Sequence, residues 1–113
     1  MKNKLIILLV CSSFLLVNSC KKDETPVPVA KVTYTADVKP IFVASCTPCH
    51  MAAGTNPNKW DNYTMAKNKI NVILDRVQRD PSIPGFMPKN GSKLSDAKIA
   101  TLKKWMADGL LEN

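Results

Sequence analysis

The apolar positions of the chain fall into helical patterns, and the first pattern runs directly into a pair of cysteines. Four residues fall on one face of this predicted helix at the i, i+3, i+4, i+7 spacing, namely the apolar Val38, Ile41 and Phe42 and the small Ser45. Asp37 is predicted to cap this helix, which leaves Pro40 in the first turn, where a missing N–H costs little. The sequence therefore predicts a helix that delivers the chain into Cys46.

Two further helices are predicted downstream, separated by loops rich in proline and glycine. Residues 64–78 have an apolar face made of Ile70, Ile73, Leu74 and Val77. The last helix begins after Ser95, a good N-cap, and Gly109 suits its end. Its buried face is predicted to contain Ile99, Leu102 and Met106. The pattern as a whole predicts an all-α fold with three or more helices.

The first 19 residues have the features of a leader that is removed on export. Lys2 and Lys4 precede an apolar run, residues 5–17, that is too short to cross a bilayer as a stable helix. The run leads into Val-Asn-Ser-Cys, which resembles the bacterial lipoprotein signal and implies that Cys20 becomes the lipidated first residue. The alternative is an ordinary signal peptide that happens to have a cysteine near its end.

The segment 20–31 is predicted to be the lipidated N-terminus and a tether, and residues 32–113 the folded domain. Pro26 and Pro28 favour an extended tether that does not pack. The charged run 21–24 resembles the surface-export tag of some outer-membrane lipoproteins, although it is equally the charged start of a tether. We therefore expect an exported protein, anchored by lipid to a bacterial membrane, the outer membrane on its periplasmic or surface side.

The net charge of the chain bears on which classes of partner it could bind. The chain has a formal net charge of +7, which falls to +5 when Lys2 and Lys4 leave with the leader. This charge is modest and scattered, and no basic run is interleaved with aromatic residues, so nucleic-acid binding is not expected. The positive charge either steers the protein towards an acidic redox partner or simply solvates its surface. The identity of a redox partner does not follow from the sequence.

The chemistry is concentrated in Cys46-Thr47-Pro48-Cys49-His50, the Cys-x-x-Cys-His attachment signature of a c-type haem. Two thiols at this spacing can each form a thioether with one porphyrin, and the adjacent imidazole becomes an axial ligand of the iron. A domain of about 80 residues has a marginal core, which a covalently held porphyrin would reinforce. The rival interpretation is a thioredoxin-like dithiol, which needs a strand before the motif.

Residues 37–50, a helix that feeds the haem motif, resemble the class I cytochromes c, in particular the small cytochrome c domains of exported bacterial proteins. The resemblance covers about residues 35–110. It implies that Phe42 packs where the first and last helices cross, and that Trp105, three residues after Leu102, lies at the same crossing. It also implies that a loop proline carbonyl, with Pro57 the candidate, accepts a hydrogen bond from the proximal imidazole.

The resemblance further implies that Met87, beside a proline in the irregular loop 81–91, presents its sulfur to the sixth iron position. The chain has a single histidine, so two histidines cannot ligate one iron here. Among the other candidates, Met51 adjoins His50 and cannot reach the far face, and two methionines on helical patterns, Met65 and Met106, are better suited to packing. A five-coordinate or differently ligated iron is the alternative.

These expectations combine into a mono-haem c-type cytochrome that carries single electrons and is not itself an enzyme. Cys46 and Cys49 would hold one covalent haem c, and His50 and Met87 would ligate its iron. The second functional class is a haem sensor or peroxidase-like enzyme with a labile sixth ligand, and the third is the dithiol oxidoreductase. The sequence leaves open whether the protein serves as a subunit or accessory of a larger redox enzyme.

Overall fold

The computed structural model describes residues 28–113, and within that range the fold is all-α. The helices are α1 (Lys39–Cys46), α2 (Tyr63–Gln78) and α3 (Asp96–Ala107), and a π-helical turn, Tyr34–Val38, leads into α1. The described part contains no strand, only an isolated parallel bridge between Thr33 and Leu111. None of its helices has the length and apolar character needed to cross a membrane. The predicted leader, the lipidation at Cys20 and the tether up to residue 27 lie outside the described residues.

The first helical segment begins one turn earlier than the sequence predicted. The side chain of Thr33 accepts a hydrogen bond from the Ala36 N–H, and the Asp37 carboxylate accepts one from the Thr33 N–H at 2.8 Å. The prediction that Asp37 is the cap is therefore wrong, because Asp37 lies inside the helical segment and its carboxylate reaches back to the true cap. Pro40 still falls in the first turn of α1, where its missing N–H is harmless.

The other two helices are close to their predicted bounds. The Asn62 side chain accepts from the Met65 N–H and begins α2, and the Ser95 side chain accepts from the Lys98 N–H and begins α3. Gly109, at a φ of +99°, turns the chain after α3 in a conformation that glycine adopts without strain.

The core lies where the π-helical turn and α2 both pack against α3, and α1 continues from the turn. The largest fully buried side chains are Trp105, Phe42, Leu102 and Val38. The prediction that Met106 is buried is wrong, since it is 41% exposed. The chain that returns after Gly109 covers Trp105 instead, accepting a hydrogen bond from the indole N–H at the Leu111 carbonyl.

The two ends of the described domain are hydrogen-bonded to each other. The Tyr34 N–H donates to the Leu111 carbonyl and the Thr35 N–H to the Glu112 carbonyl, both at 2.9 Å. The Val32 N–H donates to the Asp108 carboxylate at 2.7 Å. We call these three bonds the terminal clasp. Val32 is the first residue in this set of bonds between the two ends.

Candidate functional site

Residues 46–50 form a tight turn at the end of α1. Cys46 is the last residue of the helix, and the His50 N–H donates to the Cys46 carbonyl at 3.1 Å. Both cysteines of the motif are unpaired thiols, with Cys46 half-buried and Cys49 exposed. Gly54 is required beside this turn, because a Cβ there would lie 2.1 Å from the Pro48 carbonyl oxygen. The local fold thus brings both thiols and the imidazole to one short stretch of surface.

This stretch forms one wall of a cavity of about 570 Å³. The motif contributes Cys46, Cys49 and His50, and the loop after α2 contributes Met87. Apolar residues of α2 complete the lining, namely Val72, Ile73 and Val77. The volume falls in the range of protein sites for small molecules and cofactors. The residues predicted to bind and ligate a haem therefore share one cavity, although the motif and Met87 are far apart in sequence.

The charged residues that line the cavity are all basic. Lys69, Arg76 and Lys89 contribute to its wall, and no aspartate or glutamate does. A cavity with apolar walls and basic side chains suits a ligand with an apolar body and negatively charged groups. A porphyrin, which carries two propionates, has this chemistry.

The orientation of the His50 ring is fixed by a backbone carbonyl. Its Nδ1 lies 2.9 Å from the Asn58 carbonyl oxygen, and a carbonyl can only accept, so the proton lies on Nδ1. The lone pair of Nε2 is then available to a metal, the usual arrangement of a metal-binding histidine. The prediction that Pro57 supplies this carbonyl is wrong by one residue, because the loop turns so that its successor faces the imidazole.

Trp60 holds the same imidazole from the side. The two rings are stacked, with centroids 4.9 Å apart and planes inclined by 15°. The Trp60 N–H also donates to the His50 carbonyl at 2.7 Å, so the backbones of the two residues are tied together. In the sequence alone, a tryptophan ten residues after His50 suits either generic packing or a contact with a haem. In the structure it is buried, lines the cavity and contacts His50 directly.

Tyr34 supports Trp60 from the core. Its hydroxyl donates to the Trp60 carbonyl at 2.7 Å. Burial, followed by the nearby carboxylates of Asp61 and Glu112, raises the pKa of Tyr34 from its ordinary 10.0 to about 12. The hydroxyl therefore keeps its proton, and its hydrogen bond, well into the alkaline range.

We expect Tyr34→Phe to lower the free energy of unfolding by about 1 kcal/mol at neutral pH, since one buried hydrogen bond is lost. Because the folded pKa is raised, the contribution of Tyr34 is complete below pH 10 and is lost as the pH rises towards 12. Urea unfolding of both proteins across this range should show the difference in stability between them shrinking. A constant difference would contradict the raised pKa, and Tyr63→Phe, which loses a hydroxyl bond to the Leu110 carbonyl, is the matched control.

Of the methionines considered as iron ligands, Met87 is the one at the cavity. It is half-buried and, of the methionines in the described chain, it alone lines the cavity. Met65 and Met106 are 43% and 41% exposed on their helices, and Met51 packs against the core beside the motif. Within residues 28–113 no group of three or more His, Cys, Asp or Glu side chains could hold a metal ion. A porphyrin iron needs no such group, because the macrocycle supplies four ligands and the protein only the axial ones.

Two arginines that the sequence analysis did not single out hold the Met87 loop. Arg76 and Arg79, in and just after the last turn of α2, donate to the backbone carbonyls of Gly85 and Pro84. Both arginines lie on the side of α2 nearest the loop, and the only sequence signal for them was their position just before an irregular segment. We call this pair the arginine clamp.

The environment of Cys46 differs from that of a reactive dithiol. Burial raises the pKa of the Cys46 thiol to about 11, although Lys98 opposes the shift. Cys46 also ends a helix, and the negative end of the helix dipole disfavours a thiolate. Nucleophilic cysteines of thioredoxin-like motifs have a lowered pKa, and they follow a strand, whereas a helix precedes this motif. The geometry therefore disfavours the dithiol alternative.

Comparisons of the chain with models of known protein families, with curated proteins and with solved structures found no match.

Proposed function

We propose that the protein is a mono-haem c-type cytochrome with a cytochrome c-like fold, exported and lipid-anchored at Cys20, which carries single electrons. The observation that carries this proposal is the cavity, in which the only Cys-x-x-Cys-His motif of the chain and Met87 meet. The haem would supply a one-electron couple between ferric and ferrous iron.

Each site residue has a distinct role in this proposal. Cys46 and Cys49 hold the porphyrin through thioether bonds. His50 presents Nε2 to the iron because its Nδ1 proton is engaged by the Asn58 carbonyl. Met87 offers its sulfur from the other loop of the cavity, and a thioether ligand tends to raise the reduction potential. With both axial positions taken, no position is left for a substrate, which favours a carrier over an enzyme.

The basic residues of the cavity support the same assignment. Lys69, Arg76 and Lys89 offset negative charge on a ligand whose body packs against Val72 and Ile73. Val72 is 48% exposed on α2 and is one of the apolar residues that line the cavity, where a ligand would cover it.

A haem assay tests the proposal directly. The full chain is produced in a host that exports and matures c-type cytochromes, and the purified protein is examined by the pyridine haemochrome spectrum and by intact mass. We expect one covalently bound haem per chain with the spectrum of thioether-linked vinyl groups. Unmodified thiols at both Cys46 and Cys49 in such a host would refute the assignment.

One observation is also compatible with the second functional class, in which the sixth ligand of the iron is labile. Met87 lies on a loop without regular structure and is only half-buried, so a haem sensor or peroxidase-like enzyme with a displaceable ligand is the competing candidate. The spectrum of the oxidised protein separates the two. A sulfur-to-iron charge-transfer band supports the carrier, and a high-spin resting iron supports the competitor.

A further inference from the structure

The segment that carries Met87 is hydrogen-bonded to the rest of the domain through Arg76 and Arg79, the two residues of the arginine clamp. Arg79 Nη1 donates to the Pro84 carbonyl at 2.6 Å, and Arg76 Nη1 approaches the Gly85 carbonyl at 3.4 Å. The Met87 N–H in turn donates to the Arg76 carbonyl at 3.2 Å. Within the described chain, every hydrogen bond that links residues 84–87 to another element ends on one of these two arginines.

Asp75 orients the stronger of the two contacts. Arg79 Nη2 lies 2.5 Å from the Asp75 carboxylate, one helical turn earlier, while Nη1 faces the loop. The planar guanidinium can make both contacts at once, which the point charge of a lysine cannot do with the same geometry. The pair is exposed to solvent, with 32% of the Arg79 side chain and 57% of the Asp75 side chain accessible. Such a pair adds little to the free energy of unfolding of the whole domain, so we expect its main effect on the position of the loop that Arg79 contacts.

The lack of a side chain at Gly85 leaves room for the two arginine side chains beside the loop. Its φ is +84°, and a Cβ at this position would lie 2.5 Å from Arg79 Nη1 and 3.2 Å from Arg76 Nη1. A side chain at residue 85 would thus be strained and would displace both guanidinium groups. Phe86 is buried and anchors the loop by packing, the Met87 N–H donates to the main-chain carbonyl of Arg76, and the two guanidinium groups hold the carbonyls of the residues just before Phe86.

We propose that Arg79, braced by Asp75, is a positioning residue that keeps the Met87 sulfur at the iron and thereby sets how easily an external ligand displaces it. The inference rests on the proposed function, because it requires a haem whose sixth ligand is Met87. An external ligand can bind only when the methionine is off the iron, so its apparent affinity rises with the fraction of protein in that state. Weakening the clamp raises this fraction.

The test is an imidazole titration of the oxidised holoprotein, in which imidazole binding is monitored by the loss of the sulfur-to-iron charge-transfer band. We expect Arg79→Gln to lower the apparent dissociation constant for imidazole about tenfold. This change corresponds to a tenfold rise in the fraction of protein in which Met87 is off the iron. Asp75→Asn should give a smaller change in the same direction. Lys103→Gln, which removes a positive charge from an exposed position on α3, is the matched control and should stay within about twofold of wild type.

Hydrogen exchange provides a second readout that does not depend on ligand binding. In Arg79→Gln and in Gly85→Ala the Met87 amide, which donates to Arg76, should exchange faster than in wild type, while amides of α3 should not change. An imidazole affinity and a Met87 exchange rate that match those of Lys103→Gln would overturn the inference and leave the proposed function intact. A wild-type protein with no covalent haem would overturn both.

Discussion

Replacing Cys46 and Cys49 together with alanine is expected to give a protein without covalently bound haem. The reason is that both thioether bonds are lost, so only the non-covalent ligands His50 and Met87 would remain to hold the haem. Such a variant should also unfold far more readily. The apolar residues that line the cavity, among them Val72, Ile73 and Val77, would then lack the porphyrin that they are proposed to pack against.

Intact mass and far-ultraviolet circular dichroism measure the two effects of the double substitution. The matched control is Thr47→Ala, which changes the motif between the two cysteines and removes only an exposed hydroxyl bond to the Val43 carbonyl. Thr47→Ala should retain one haem and a normal helical spectrum. If the double alanine variant melted at the same temperature as the parent, the porphyrin would not be the centre of this fold.

Replacing Met87 with alanine is expected to open the sixth position and convert the resting iron to the high-spin state. The sulfur-to-iron charge-transfer band of the oxidised protein should disappear completely, and the reduction potential should fall, because the thioether no longer stabilises the ferrous state. Haem content should stay at one per chain, since both cysteines and His50 are unchanged. Optical spectra and redox titration of the purified holoprotein measure these changes.

Met65→Ala is the control for this substitution, because Met65 is 43% exposed on α2 and does not line the cavity. Its spectrum and potential should match those of the parent. An unchanged spectrum in Met87→Ala would remove Met87 from the site and favour the enzyme or sensor class, with an iron that is ligated in another way.

The helices could be predicted because their apolar faces repeat at helical spacing and their caps are local in sequence. Ile70, Ile73 and Val77 are buried as expected, and Ser95 caps α3. The motif and Met87 could also be singled out as candidates, since a strict spacing and an irregular proline loop are both visible in the sequence, and their roles as haem ligands stay a prediction. All-α architecture follows from the same periodicity and is confirmed for the described residues.

What could not be predicted depends on contacts between distant segments. Whether the carbonyl that meets His50 belongs to Pro57 or Asn58 is decided by the path of a loop, which composition does not specify. The exposure of Met106 follows from where the chain goes after Gly109, and periodicity alone placed it inside. The arginine clamp is also tertiary, because nothing in the spacing of Arg79 and Gly85 shows that their atoms meet.

If the protein is anchored by lipid at Cys20, as proposed, the terminal clasp limits how far the domain can lie from the membrane. Since the Val32, Tyr34 and Thr35 backbones are bonded to the end of the domain, only the residues before Val32 can span the distance to such an anchor. Val32 lies twelve positions after Cys20, and a fully extended chain of that length reaches about 40 Å. An anchored molecule could then exchange electrons only with partners inside a shell of roughly that height plus its own diameter.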